Sequence, residues 1–181
     1  LFRSNVLAPP VGVIASIGLD HQQHLGDTLD AIAFEKAGII KHGMTVVTGD
    51  LPAEAMQTVN RVARERGARL LPSRDGAHVE SRMQDGRAIV TIDTPVERYG
   101  PVGLGLRGEH QIENAVVAVR AIESLREHGW DISKEAVEGG LSAAEWPARL
   151  ELLVLPGGKR VLLDAAHNVD GARALAAYLK A

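Results

Sequence analysis

The 181-residue sequence contains no cysteine. That absence excludes disulfides and thiolate metal centres, and it fits a chain that works in a reducing cytoplasm. Aromatic residues are scarce, at 3%, so a core must be built from Val, Leu, Ile and Ala. Aliphatic interiors of this kind accompany parallel sheets in α/β proteins. No charge of one sign dominates: 20 Lys and Arg stand against 23 Asp and Glu, a formal net of −3. The basic residues are scattered among acidic ones, so the electrostatic footprint of a nucleic-acid binder is missing. No apolar run has the length of a membrane-spanning helix. There is no internal repeat and no low-complexity tract. Also lacking is a Gly-x-x-x-x-Gly-Lys-Ser/Thr phosphate loop; Gly157-Gly-Lys159 has neither the spacing nor the hydroxyl and reads as a hairpin turn.

What is there is ordinary globular material, 45% hydrophobic and 24% charged, enough for one domain or one domain plus the opening of another. The chain opens on Leu1 without a secretory n-region or h-region and closes inside a helical pattern, Gly171 to Ala181. It therefore reads as cut at both ends.

Val11 to Gly18 is an apolar run bounded by Pro-Pro and Gly, the pattern of a buried strand. After a polar loop, Asp27 or Thr28 can cap a helix that Gly38 ends, with Leu29, Ile32, Ala33 and Lys36 on one face. Thr45–Thr48 reads as a second strand, and Pro52–Arg66 as an amphipathic helix with Met56, Val59 and Ala63 inward and Gly67 as its stop. Three short runs follow, Val79–Met83, Arg87–Asp93 and Val102–Leu106, the first two joined at Asp85-Gly86; they predict a small antiparallel layer. From Glu109 the helical spacing returns through Ile112, Ala115, Val116, Val119 and Ile122, and Ser133 caps a further helix through Leu141. Pro147 marks a linker over 146–149, followed by two strands around Pro156-Gly-Gly158 and a helix from about Asp170. The order βαβα, small β layer, two helices, linker, ββα predicts an α/β protein with a mostly parallel sheet.

Four stretches place polar residues where a plain fold does not need them. Asp20 and His21 follow the first strand, with His24 further along the loop, at the strand edge where α/β sheets gather ligands. Taken alone, they are also what a solvated loop contains. Lys36 shares a face with Leu29 and Ile32; it must snorkel or find a partner, and a neutral amine there could take up carbon dioxide to give a carbamate, an oxygen ligand suited to magnesium. Asn114 opens the long helix and carries the donor and acceptor needed to read a purine edge, though an Asn on a helix flank also simply meets solvent or backbone. Arg149 offers a planar fork for phosphate oxygens, while Asp164 and His167 stand at a strand end. A surface salt bridge and a loop-capping aspartate are their plain alternatives.

In order, Ile17-Gly-Leu-Asp-His-Gln-Gln-His-Leu-Gly26, Ile32-Ala-Phe-Glu-Lys-Ala-Gly-Ile-Ile-Lys41, Leu106-Arg-Gly-Glu-His-Gln-Ile-Glu-Asn-Ala115, Trp146-Pro-Ala-Arg-Leu-Glu151 and Leu163-Asp-Ala-Ala-His-Asn168 resemble the folylpolyglutamate synthase and dihydrofolate synthase branch of the Mur ligase family. The resemblance implies ATP-dependent addition of L-glutamate to folate or dihydropteroate through an acyl phosphate, in a cytoplasmic, monomeric parent with ATP and Mg2+ as cofactors and no nucleic acid or membrane partner. It implies that residues 1–145 belong to a Mur-type central ATPase domain, that 146–149 link, and that 150–181 open a Rossmann-like C-terminal domain. It further implies His21 and a carbamylated Lys36 as magnesium-site residues. Asn114 would lie at adenine, Arg149 at the phosphates, Asp164 at the nucleotide, and His167 near glutamate or the reacting carboxyl. The family's phosphate loop and magnesium-ligating glutamate have no match here, so this chain alone is expected to be inactive. A fragment of a peptidoglycan-type Mur ligase and a non-catalytic remnant are the rival readings.

Overall fold

The computed structural model describes residues 7–18 and 28–180. They form two compact units, the first from residues up to Ala77 together with Val116–Ile132, the second from His78–Ala115 and Ser133 onward. Among the described residues no helix is long and apolar enough to cross a membrane.

The first unit contains strands β1 (Val11–Ile14), β2 (Thr45–Thr48) and β3 (Arg69–Pro72) in the order β1-β2-β3, all parallel. β2, Thr-Val-Val-Thr, is buried at every position, as expected of a central β-branched strand covered on both faces. Helix α1 (Leu29–Ala37) starts where the Thr28 hydroxyl accepts the Ala31 N–H at 3.2 Å. Losing that acceptor should cost about 1 kcal/mol; Thr28→Ala is expected to lower the denaturation midpoint accordingly, with Thr28→Asn near wild type.

Helix α2 (Ala53–Glu65) buries Ala55, Thr58, Val59, Val62 and Ala63, and the half-buried Met56 packs against the same core, so the expected inner face is the observed one, broadened to one side. Its end is a Schellman cap: Gly67, at φ +59°, donates to Arg64 O (3.1 Å), and Ala68 donates to Ala63 O (2.9 Å). Ile14, Ile32, Ile40, Met44, Val46, Val59 and their neighbours make one aliphatic core, as the shortage of aromatics requires.

The second unit holds the antiparallel strands β4 (His78–Gln84), β5 (Arg87–Asp93) and β6 (Arg98–Arg107) in sequence order. Asp85 and Gly86, at φ 50° and 73°, make the tight turn between β4 and β5 that the Asp-Gly pair predicts. Helix α3 (Gln111–Glu127) begins in this unit and continues into the first. Helix α4 (Lys134–Ala143) is capped by the Ser133 hydroxyl, and hairpin β7 (Glu151–Val154) to β8 (Arg160–Leu163) leads to helix α5 (Val169–Lys180). Arg107 Nη1, at the end of β6, lies 3.4 Å from the Tyr178 hydroxyl of α5.

Candidate functional site

In the first unit Lys36, in the last turn of α1, is half-buried and donates its ammonium to Ser16 O at 3.0 Å. Ser16 lies just beyond β1, so the amine stands at the carboxyl edge of the parallel sheet, where ligands of such sheets bind. Asp20, His21 and His24 lie outside the described residues. Among the described residues no three His, Asp or Glu side chains meet in a metal-binding group.

The other site residues cluster in the second unit around an irregular turn, Trp146–Leu150. Ala148 and Leu150 both adopt positive φ, 57° and 47°, costing about 1–2 kcal/mol each for residues with a Cβ. Two carboxylates hold this conformation. Glu151 accepts the Ala148 N–H at 2.8 Å; Asp164 accepts the Leu150 N–H at 2.9 Å through one oxygen and the Ala166 N–H at 2.8 Å through the other. A backbone bond from Ala165 N to Ala148 O (2.8 Å) completes the clasp. Leu150 is thereby locked inside, and Arg149, between the two left-handed residues, is exposed. Asp164 thus fastens the turn that presents Arg149. His167 is exposed, with Nδ1 2.9 Å from Ala165 O.

Gly108 couples this turn to the start of α3. At φ +97° it takes a conformation glycine alone tolerates well, and a Cβ there would lie 2.7 Å from the His110 ring and 2.8 Å from Leu150 Cδ1. Its carbonyl accepts the Gln111 N–H at 3.1 Å. His110 keeps much of its surface in solvent, but partial burial of the ring lowers its pKa below the ordinary value; the Asp164 carboxylate partly opposes this and the Arg149 guanidinium adds to it. Because the folded state favours the neutral ring, the unfolded chain binds the proton more readily. Stability from this group is full above about pH 6.5 and is lost as pH falls through the lowered folded value.

His110 Nε2 lies 2.9 Å from Gln111 Nε2, and Gln111 Oε1 accepts from Asn114 Nδ2, also at 2.9 Å. Gln111 is 7% exposed, whereas Asn114 is open to solvent. His110, Arg149 and Asp164 therefore share one electrostatic environment, to which Asn114 is joined through Gln111. Sequence reasoning picked out Asn114 but missed His110 and Gln111. The available signal was the Gln-x-x-Asn spacing, which places two carboxamides one turn apart on a helix.

A parallel α/β unit together with an antiparallel sheet and a following hairpin matches solved folylpolyglutamate synthase structures and fits a partial Mur-ligase-type domain. No family model matches the chain. It is 38% identical over 180 residues to the dihydrofolate synthase/folylpolyglutamate synthase of Bacillus subtilis, covering 98% of this chain and 41% of that protein. To the folylpolyglutamate synthase of Lacticaseibacillus casei it is 33% identical over 179 residues, with the same two coverages. Among solved structures, an FPGS–AMPPCP–folate complex superposes with a TM-score of 0.89 at 32% identity, over 97% of this chain and 43% of that one. Folylpolyglutamate synthase of Mycobacterium tuberculosis, complexed with ADP and AMPPCP, gives 0.85 at 32% identity, over 97% and 40%. Over nearly its whole length the chain is thus similar to folylpolyglutamate and dihydrofolate synthases, and it spans about 41% of the length of the curated relatives it matches.

Proposed function

We propose that the chain is part of an ATP-dependent ligase that adds L-glutamate to folate, to dihydropteroate, or to both. The observation that carries this reading is the clasped turn at 146–150: strained backbone on both sides of the exposed Arg149, held by Glu151 and Asp164. Strain of this kind is retained where a side chain must be aimed. Relatives along the whole stretch are folylpolyglutamate and dihydrofolate synthases.

In this reading the substrate carboxylate takes the terminal phosphoryl group of ATP, the glutamate amine attacks the resulting acyl phosphate, and inorganic phosphate leaves. Arg149 faces the phosphate oxygens, where a planar fork stabilises charge that is in motion. Asn114 meets the adenine edge, Asp164 keeps Arg149 in place and borders the nucleotide, and His167 stands near glutamate or the reacting carboxyl. Lys36 fits a magnesium site only as its carbamate, since an ammonium repels a cation while a carbamate supplies oxygens; His21 would be the neighbouring ligand. Bound magnesium would offset phosphoryl charge. The accompanying domain division is 1–145, a linker at 146–149 about which closure assembles the site, and 150–181, in a monomeric, cytoplasmic parent.

The test uses a protein carrying these residues together with a phosphate loop. Glutamate-dependent phosphate release with dihydropteroate or a reduced folate is expected, and Lys36→Ala should reduce it about 100-fold. Short carboxylic acids should restore part of it, and Lys36→Arg should not. Release that ignores glutamate, or an unaffected Lys36→Ala variant, would overturn the reading. The 181-residue chain alone is expected not to hydrolyse ATP. Magnesium-dependent hydrolysis by it that disappears on Lys36→Ala would contradict this.

A further inference from the structure

We infer that His110, acting through Gln111, sets which edge of the Asn114 carboxamide is offered to a purine base, and so acts as a positioning residue for base specificity. The inference rests on the reading of Asn114 as the base contact and goes beyond it.

The chemistry follows from which atoms can donate. Gln111 Nε2 is an amide NH2 and can only donate, so at 2.9 Å from His110 Nε2 it needs that ring nitrogen as an acceptor. The imidazole is then neutral, with its proton on Nδ1. With Nε2 of Gln111 committed to His110, Oε1 points the other way and accepts from Asn114 Nδ2. Asn114 Nδ2 gives one of its two N–H bonds to Gln111, which fixes the carboxamide with Nδ2 toward Gln111 and Oδ1 on the opposite side, free to accept. A single orientation is thus handed along three side chains. Gln111 is 7% exposed, so its amide relies chiefly on these two neighbours.

An outward carbonyl accepts from the 6-amino group of adenine and repels the 6-oxo group of guanine or hypoxanthine. Protonating His110 turns Nε2 into a donor. Gln111 must then present Oε1 to it and Nε2 to Asn114, and Asn114 must present Oδ1 inward and Nδ2 outward. The outward edge changes from acceptor to donor. The charged groups acting on the ring are Asp164, at the end of β8, which favours protonation, and Arg149, before β7, which opposes it; packing on Gly108 opposes it as well.

The experiment is a pH titration of the 15N-labelled 181-residue chain by NMR, following the His110 ring nitrogens and the side-chain amides of Gln111 and Asn114. The expected result is an Nδ1–H tautomer at neutral pH and one common midpoint, below about 6.5, for all three residues. In Gln111→Glu, whose carboxylate accepts from both neighbours in either state, Asn114 should no longer titrate with His110. An Nε2–H tautomer, or separate midpoints in the wild-type chain, overturns the inference without any variant having to fold.

Addition of ATP and of its 6-oxo analogue, inosine triphosphate, to a labelled protein that carries these residues together with a phosphate loop separates the base contact from its control by His110. Preference for ATP, read from shifts at the Asn114 amide, should be on the order of tenfold near pH 8 and approach parity below the His110 midpoint. A preference that does not change with pH overturns the inference. If the three residues titrate together but ATP leaves Asn114 unmoved, the base-contact reading fails and takes the specificity claim with it. His110 would still be shown to govern the two amides.

Discussion

Asp164→Ala should lower the stability of the second unit by about 2–3 kcal/mol, since two backbone N–H groups lose a charged acceptor. It should also remove nucleotide-dependent activity from any active protein that contains this chain. The two consequences have one cause. Leu150 holds φ 47° because the Asp164 carboxylate takes its N–H, and the same carboxylate takes the Ala166 N–H from the other side. Without it, Leu150 can relax to ordinary backbone, and the exposed Arg149 beside it is no longer aimed. Asp164→Asn keeps one carbonyl oxygen, so it should fall between the wild type and Asp164→Ala in both readouts. Denaturant midpoints give the stability and phosphate release gives the activity. If Asp164→Ala unfolds at the wild-type midpoint, the carboxylate does not clasp the turn.

The second large effect is expected at Gly49, directly after β2. Its N–H donates to Ile14 O at 3.0 Å, and a Cβ would be driven into the Ala15 carbonyl oxygen, with Val117 Cγ2 at 3.4 Å behind it. Backbone cannot yield there as a side-chain tip can. Gly49→Ala should therefore cost about 3 kcal/mol. Because Ala15 precedes Ser16, whose carbonyl accepts from Lys36, the displaced backbone should also disturb the sheet-edge site. Gly12→Ala is the internal control: its Cβ would meet Met44 Cε at 2.7 Å, the end of a flexible side chain that can swing away. Its cost should stay below about 1 kcal/mol. Equal losses from the two substitutions would show that close backbone approach is not what constrains position 49.

Much of the fold was legible because its signals are local. Thr28 and Ser133 cap helices, Gly67 stops one, and Asp85-Gly86 turns a hairpin, each through chemistry that needs only neighbouring residues. β2 was found at its observed limits from a β-branched run. β3, Arg-Leu-Leu-Pro, was not anticipated: four residues without alternation, ending in proline, look like strand only once β2 lies beside them. Met56, read as inward, packs half-buried against the core beside the fully buried Val59 and Ala63, while Ala55, Thr58 and Val62 were not picked out, since the partner surface decides how far each neighbouring residue is covered.

The candidate site divides along the same line. Lys36 was legible as an amine on an apolar face, and its contact with Ser16 O gives it the partner such a position requires. Arg149 and Asp164 were legible as a pair of ordered motifs, but their dependence on each other was not. It hinges on positive φ at an alanine and a leucine, for which those residue types give no warning. His110 and Gln111 were missed for a related reason: the run of hydrogen bonds to Asn114 depends on side-chain rotamers, and spacing alone does not reveal rotamers.

The most direct measurement follows an oxygen atom. A folate-side substrate labelled with 18O in its reacting carboxyl group is given to the active protein containing this chain, with ATP and L-glutamate, and the released phosphate is analysed by mass spectrometry. The account predicts one labelled oxygen in the inorganic phosphate for each amide bond formed, because the carboxylate is phosphorylated before glutamate attacks. Amide formation with unlabelled phosphate would contradict it.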